Sequence, residues 1–365
     1  MSVLATAPVN ATAKATRLSV IVPVHNGRMQ LSRCLEGLQQ SSYRDFELLV
    51  VDDCSTDNTP EIVERYGVRY LRTPSNMGPG GARNLGVEQA AADIVVFVDA
   101  DVVVAPDALQ RIYDDFARDP ELAAVFGSYD DAPAWPDFVS QYKNLSHHYY
   151  HQIASEQAET FWAGCGAVRK HIFQQFGGFN AKKYRRPSVE DIELGFRITR
   201  SGLRIRLDKK VLAQHLKRWS LSGMLRADIL CRAVPWTQLI LETKHVPKDL
   251  NLRTSSRLSG VLVGLLVVAI AVLPVSLAFA KPATLTWYLL PVLAGLMALL
   301  LALNWHMYGW FAKRRGLAFA AGAVVLHWLY YFYSSLAFGI CMLAHQLREF
   351  FPQQTTLPIR SNGQD

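Results

Sequence analysis

DIVVFVDADVVV, Asp93–Val104, decides the fold. A continuous apolar, β-branched run of this length is a strand covered on both faces. Yet Asp99 and Asp101 sit two positions apart near its exit. Residues i and i+2 of a strand point to the same side. The two carboxylates are therefore expected to look into one crevice, where they can share a hard divalent cation, Mg²⁺ or Mn²⁺. The competing reading is a solvated turn, where Asp is an ordinary residue.

Working outward, LSVIVPVHN (18–26), FELLVVDD (46–53), VRYLRT (68–73) and LAAVFGSY (122–129) repeat the strand pattern. Helical spacing over about 28–41, 58–66, 80–91 and 106–117 separates them. Apolar strands alternating with helices predict an α/β doubly wound, mostly parallel sheet. Ligands of such sheets bind at the carboxyl ends of the strands. Three ends are polar: Pro23, His25 and Asn26; Asp52 and Asp53; Asp99 and Asp101.

Beyond Arg257 the composition changes. Residues 258–280, 283–305 and 317–344 contain no Asp, Glu, Lys or Arg, and each is long enough to cross a bilayer. Lys281-Pro282 joins the first two as a hairpin. The net charge of +7 is unevenly placed. Residues 1–199 hold 19 Lys and Arg against 25 Asp and Glu, whereas residues 200–257 hold 13 against 4. A basic block directly before membrane segments points to anionic headgroups at the cytoplasmic face, the inner membrane in a bacterium, rather than to nucleic acid. Lys313-Arg314-Arg315 falls on the same side. Five scattered cysteines without CxxC spacing argue against a disulfide framework or a zinc site. The expected organisation is a flexible arm over 1–17 without a secretory apolar core, a catalytic domain over 18–216, basic interfacial helices over 217–257, a membrane region over 258–347 and a flexible tail over 348–365.

Several constellations carry chemistry. In VVDDCSTDNT (50–59) one of Asp52 and Asp53 faces the crevice, and Ser55, Thr56 and Asp57 can cap the next helix. NMGPGGARNLG (76–86) is a Gly-rich helix entry suited to phosphate, with Arg83 as counter-charge. It lacks the ending of a P-loop. SVEDIELGFRI (188–198) reads as a capping box of Ser188 and Asp191 with a Glu193–Arg197 pair, or as Asp191 serving as a general base. In HLKRW (215–219), His215 is a third metal ligand, a proton handler or a structural residue; Trp219 stacks on sugar or anchors at the interface. HHYYH (147–151) reads as a helix face without metal. Trp219, Leu221, Met224, Leu225, Ile229 and Leu230, interleaved with Arg218, Arg226 and Arg232, read as a basic amphipathic helix.

The order of these motifs resembles that of the family 2 glycosyltransferases. VIVPVHN, VVDDCSTDNT, GGARNLG, VDAD, WAGCGAVRK with GGF, EDIELGFRI and HxxRW follow one another from Leu18 to Trp219. The resemblance implies a GT-A fold and inverting transfer of a sugar from a nucleotide-diphosphate donor, a UDP-sugar first. It implies that Pro23, His25, Asn26 and Asp53 lie at the nucleoside and that Arg83 contacts the nucleotide. It places Asp99 at ribose or metal and Asp101, with His215, at the metal. It makes Asp191 of the Glu190–Asp191 pair the base and sets Arg218 and Trp219 at acceptor or diphosphate. Processive members carry Gln where His215 stands, which favours single transfer to a lipid or lipid-linked glycan over polymer synthesis. A sugar-phosphate nucleotidyltransferase and a non-catalytic membrane scaffold are the readings from other classes. The oligomeric state is not legible, and specificity is expected in 128–188.

Overall fold

The computed structural model describes residues 17–247, 252–279 and 284–350. The expected arm before Arg17, the Lys281-Pro282 turn and the tail after Phe350 lie outside them. Two compact units divide between Ser220 and Leu221.

The first unit runs β1 (Leu18–Val24), α1 (Leu31–Gln39), β2 (Phe46–Asp52), α2 (Thr59–Tyr66), β3 (Arg69–Arg72), α3 (Gly78–Gln89), β4 (Ile94–Val98), β5 (Val102–Val104), α4 (Ala108–Arg118), β6 (Leu122–Tyr129), α5 (Phe138–Ile153), β7 (Gln157–Ala158), β8 (Cys165–Arg169), α6 (Lys170–Gln175), α7 (Glu190–Arg200) and β9 (Arg204–His215). The sheet order is β3-β2-β1-β4-β8-β6-β9-β5, with β7 on β9. All seven residues of β1 and all five of β4 are buried, as unbroken apolar runs require. On α1, Leu31, Cys34, Leu35 and Leu38 recur at helical spacing and are all buried against this sheet.

Two features depart from the sequence reading. First, the decisive stretch is two strands. β4 pairs with β1 and β8, while β5 pairs with β9, Val102 facing His215. Asp99–Asp101 is the turn between them, closed by the Val102 amide donating to the Asp99 carbonyl at 3.0 Å. The same-face argument for Asp99 and Asp101 therefore does not hold; a turn sends the two side chains to different partners. Second, the sheet is mixed. The β1–β2, β1–β4, β2–β3 and β6–β9 pairs are parallel, but β8 lies antiparallel between β4 and β6. β8 is the short Gly- and Ala-containing CGAVR, too weakly apolar to read as a strand.

The second unit comprises α8 (Leu221–Asp228), a π-helical turn (Ile229–Ala233), α9 (Val234–Thr243), α10 (Thr254–Phe279), α11 (Thr284–Leu303), α12 (Trp305–Arg315) and α13 (Leu317–Phe350). Trp219 precedes these helices and belongs to the first unit, so it is not part of the amphipathic helix expected from its spacing. α10 and α13 are long and apolar enough to cross a membrane; α11 and α12, bent by 68°, make a third such span if taken together. The bend falls at Asn304, which is buried. Its amide donates to Ser259 Oγ at 3.0 Å, and its Oδ1 accepts from the Tyr331 hydroxyl at 2.9 Å. A broken helix thus has its side-chain polarity satisfied within the bundle.

Candidate active site

The strand ends place the site. β5 and β9 are antiparallel, so His215, the last residue of β9, arrives beside the Asp99–Asp101 turn. The Leu216 amide donates to the Asp101 carbonyl at 2.8 Å. His215 Nε2 lies 3.4 Å from Asp101 Oδ2. On the other side of the ring, Nδ1 donates to Asn144 Oδ1 on α5 at 2.8 Å, and the Tyr129 ring stacks on it at 4.4 Å and 10°. With its proton held on Nδ1, a neutral imidazole presents the Nε2 lone pair and the Asp101 carboxylate to the same space. In the other state, with His215 protonated, burial raises the Asp101 carboxyl but the hydrogen bond and charge of the imidazolium hold it below the usual range.

Asp99 turns elsewhere. Its carboxylate meets Arg83 Nη2 at 2.6 Å, and Arg83 Nη1 reaches Glu190 Oε1 at 3.0 Å. Arg83 and Glu190 are both about 5% exposed, so the guanidinium is a buried bridge between the β4–β5 turn and the start of α7. It faces two protein carboxylates rather than an open phosphate site.

α7 begins at Glu190 after Val189, and no side chain caps it. Ser188 and Asp191 thus do not form the capping box their spacing suggests. Instead the Ser188 amide donates to Glu190 Oε2 at 2.9 Å. Asp191 accepts from the Ala163 amide at 3.0 Å and the Ile192 amide at 2.8 Å. Gly164, next to Ala163, accepts from the Asp99 amide at 3.1 Å. The entry to β8 therefore sits between the Asp99 turn and Asp191. Burial, and then the neighbouring Glu190 charge, push the Asp191 carboxyl up to about 7. Glu193 and Arg197 form the expected i,i+4 pair at 2.7 Å.

The first two strand ends are arranged differently from the expectation. Pro23 is buried within β1, paired with Val51, while His25 and Asn26 are exposed beyond the strand. His25 Nδ1 donates to the Asp53 carbonyl at 2.8 Å. Asn26, at a φ of 52°, bridges to Ser55 Oγ and the Thr56 amide, both at 2.8 Å. Asp53 is 3% exposed. Its carboxylate accepts from the amides of Met77 and Gly78 and from Thr73 Oγ1, at 2.7–2.8 Å. It pins the Gly-rich loop, with little capacity left for a ligand. Asp57 accepts from the amide of Thr59, the first residue of α2, at 3.1 Å.

Arg218 is two-thirds exposed, 3.5 Å from Asp137 and over the Trp135 ring. Trp219 is buried, and the Lys217 ammonium sits 4.3 Å from its ring centroid. His148 and His151 donate to the carbonyls of Tyr129 and Gly127, which is a packing role. Asn144 and Tyr129, which orient His215, carried no sequence signal; the His215–Asn144 contact spans 71 residues.

Among the described residues no three His, Cys, Asp or Glu side chains form a metal cage. The donor set of Asp101 and His215 nevertheless fits a divalent cation of the kind that takes its remaining ligands from substrate phosphates and water. Asp99, committed to Arg83, is not part of that set.

Residues 19–177 match the family described as glycosyl transferase family 2. A glycosyltransferase of Haemophilus influenzae is 34% identical over 117 residues, covering 31% of this chain and 46% of that protein. The poly(ribitol-phosphate) beta-N-acetylglucosaminyltransferase TarS of Staphylococcus aureus is 39% identical over 102 residues, covering 26% of this chain and 18% of its own length. The chain spans less than half the length of these curated relatives. Among solved structures, the mannosyltransferase PcManGT of Pyrobaculum calidifontis, in complex with GDP-Man and Mn²⁺, aligns with a TM-score of 0.57 at 22% identity, over 86% of this chain and 88% of that one. The likeness to that structure shows a GT-A-like mixed α/β fold, and residues 19–177 carry the glycosyl transferase family 2 match. The matched residues lie within the domain that holds the site described above, and over them the chain is similar to glycosyl transferase family 2.

Proposed function

We propose that this chain is a membrane-anchored, inverting glycosyltransferase. It moves a sugar from a nucleoside-diphosphate donor, a UDP-sugar first, to a hydroxyl of a lipid or lipid-linked glycan. The observation that carries this reading is one contiguous cluster: Asp101 with His215, Asp99 tied through buried Arg83 to Glu190, and Asp191 beside it. Its relative TarS is named for a poly(ribitol-phosphate) acceptor, and the neighbour PcManGT carries GDP-Man and Mn²⁺. Both names support a nucleotide sugar, a divalent cation and a glycan acceptor.

In this mechanism Asp191 takes the proton of the acceptor hydroxyl as it attacks the anomeric carbon. A carboxylate raised to about 7 has a proton affinity matched to that task near neutral pH. The Ala163 and Ile192 amides fix its oxygens. Arg83 neutralises Glu190, so the two adjacent acids do not both stand as free charges. Asp101 and His215 would hold the cation, which when bound supplies positive charge to the departing diphosphate. His25 and Asn26 flank the nucleoside, Asp99 the ribose, and Arg218 and Trp219 the acceptor. Residues 18–216 are the catalytic domain, 217–257 the interfacial helices and 258–347 the membrane region. The basic block before the first span supports a cytoplasmic catalytic face, the inner membrane in a bacterium.

The test is to incubate membranes bearing the full chain with labelled UDP- and GDP-sugars and Mn²⁺ or Mg²⁺. Label entering an organic-extractable lipid or a membrane-bound glycan is expected from at least one donor. No incorporation from any donor, with the protein folded and present, overturns the reading.

A further inference from the structure

We propose that the loop Lys182–Arg186 is a binding site for a phosphate group carried by the acceptor, with Lys182, Arg185 and Arg186 as its cations. This deepens the reading above and rests on it.

The loop joins α6 to α7 and holds Lys182, Lys183, Arg185 and Arg186 in five positions, all four exposed. Many arginines elsewhere in this unit are discharged locally. Arg69, Arg72, Arg111, Arg118, Arg204 and Arg206 each reach a carboxylate within 3.4 Å. Lys182, Arg185 and Arg186 have no such partner among the described residues. The two acids that follow them in sequence are already engaged, Glu190 by Arg83 and the Ser188 amide, Asp191 by two backbone amides.

The loop is also held in place. Tyr184 is 6% exposed, and its amide donates to the Asn180 carbonyl at 3.0 Å. The Lys183 amide donates to Asn180 Oδ1 at 3.1 Å. The Arg185 carbonyl oxygen lies 2.2 Å from where a Cβ on Gly78 would stand, and the Ala181 Cβ lies 3.6 Å from that position on Gly81. The chain is thus clamped on the first turn of α3, whose Gly78 amide is held by Asp53. It then enters α7, where the base is the second residue.

Undischarged cations clustered on an anchored loop that leads into the helix carrying the general base attract an anion. Two guanidinium forks and an ammonium match phosphate oxygens in geometry as well as charge. The donor's diphosphate belongs with Asp101 and His215 at the β5–β9 end of the site. The group drawn to the Asp191 side is the one whose hydroxyl that base deprotonates, which is the acceptor.

The experiment uses the full chain in a neutral detergent, with dodecyl phosphate as probe and calorimetry as readout, and compares wild type with the triple variant Lys182→Gln, Arg185→Gln, Arg186→Gln. All three positions are exposed, so the fold is retained. Dodecyl phosphate affinity is expected to fall about tenfold or more, the sum of three modest charge contacts, with UDP and GDP affinities unchanged. Inorganic phosphate competing with dodecyl phosphate in wild type supports recognition of the phosphate itself. Binding insensitive both to inorganic phosphate and to the triple substitution assigns the affinity to the alkyl chain and overturns the proposal. So does a loss confined to UDP or GDP, which would give the loop to the donor. In the membrane transfer assay the variant should raise the acceptor KM and leave the donor KM in place. Equal acceptor KM in both proteins removes the phosphate site alone, whereas wild type that transfers nothing removes the glycosyltransferase reading itself.

Discussion

Glu190→Gln is the perturbation that most finely tests how the base is tuned. Burial raises the Asp191 carboxyl first, and the Glu190 charge is the next contribution upward. Replacing that charge by a neutral amide removes the repulsion. It also frees part of the Arg83 charge, which favours the ionised Asp191. Both changes move the Asp191 pKa down. Two unit charges about 6 Å apart at an effective dielectric near 20 interact by about 3 kcal/mol. Arg83 already offsets part of this, so half of it is a reasonable expectation, or about one pKa unit. The base acts deprotonated, so the acid limb of kcat/KM should move from about 7 to roughly 6. The assay is nucleoside diphosphate release in the membrane transfer reaction, followed from about pH 5 to 9. The position of the limb is read, not its height, because the amide also loosens Arg83. A limb that stays in place, or moves upward, refutes the assignment of the rate-controlling ionisation to Asp191.

Asp101→Ala should weaken Mn²⁺-dependent donor binding by about tenfold or more, seen as a lost Mn²⁺-dependent rise in melting temperature with UDP- or GDP-sugars, while metal-free nucleotide binding changes little. Gly78→Ala places a side chain at a φ of 77° and against the Arg185 carbonyl. It should destabilise the catalytic domain by about 3 kcal/mol, lowering its melting temperature by roughly 5–10 °C, and an unchanged melting curve would contradict the clamp between α3 and the basic loop.

The readable parts of this chain were those in which one local pattern has one outcome. Continuous runs such as LSVIVPV and LAAVFGSY bury every side chain, which identifies central strands covered on both faces whatever the direction of their neighbours. The Glu190–Asp191 pair was legible as chemistry because two acids open an otherwise apolar helix pattern. The break inside Asp93–Val104 was not legible. Nothing in VDADVVV announces that β4 ends because its partners are β1 and β8 while β5 goes to β9. The carboxylate of Asp53 accepts from amides of a loop 24 and 25 residues away, a pairing its place after β2 does not show. The bridge that Arg83 makes depends on Glu190, 107 residues on. Long-range pairings of polar groups have no periodicity, so sequence spacing does not carry them.

The measurement that bears most directly on the account is the Asp191→Asn variant in the same membranes, assayed for both donor binding and labelled-sugar transfer. The account predicts donor-induced stabilisation equal to wild type and transfer reduced by about three orders of magnitude, a loss of about 4 kcal/mol of transition-state stabilisation. Near-normal transfer by Asp191→Asn would contradict it.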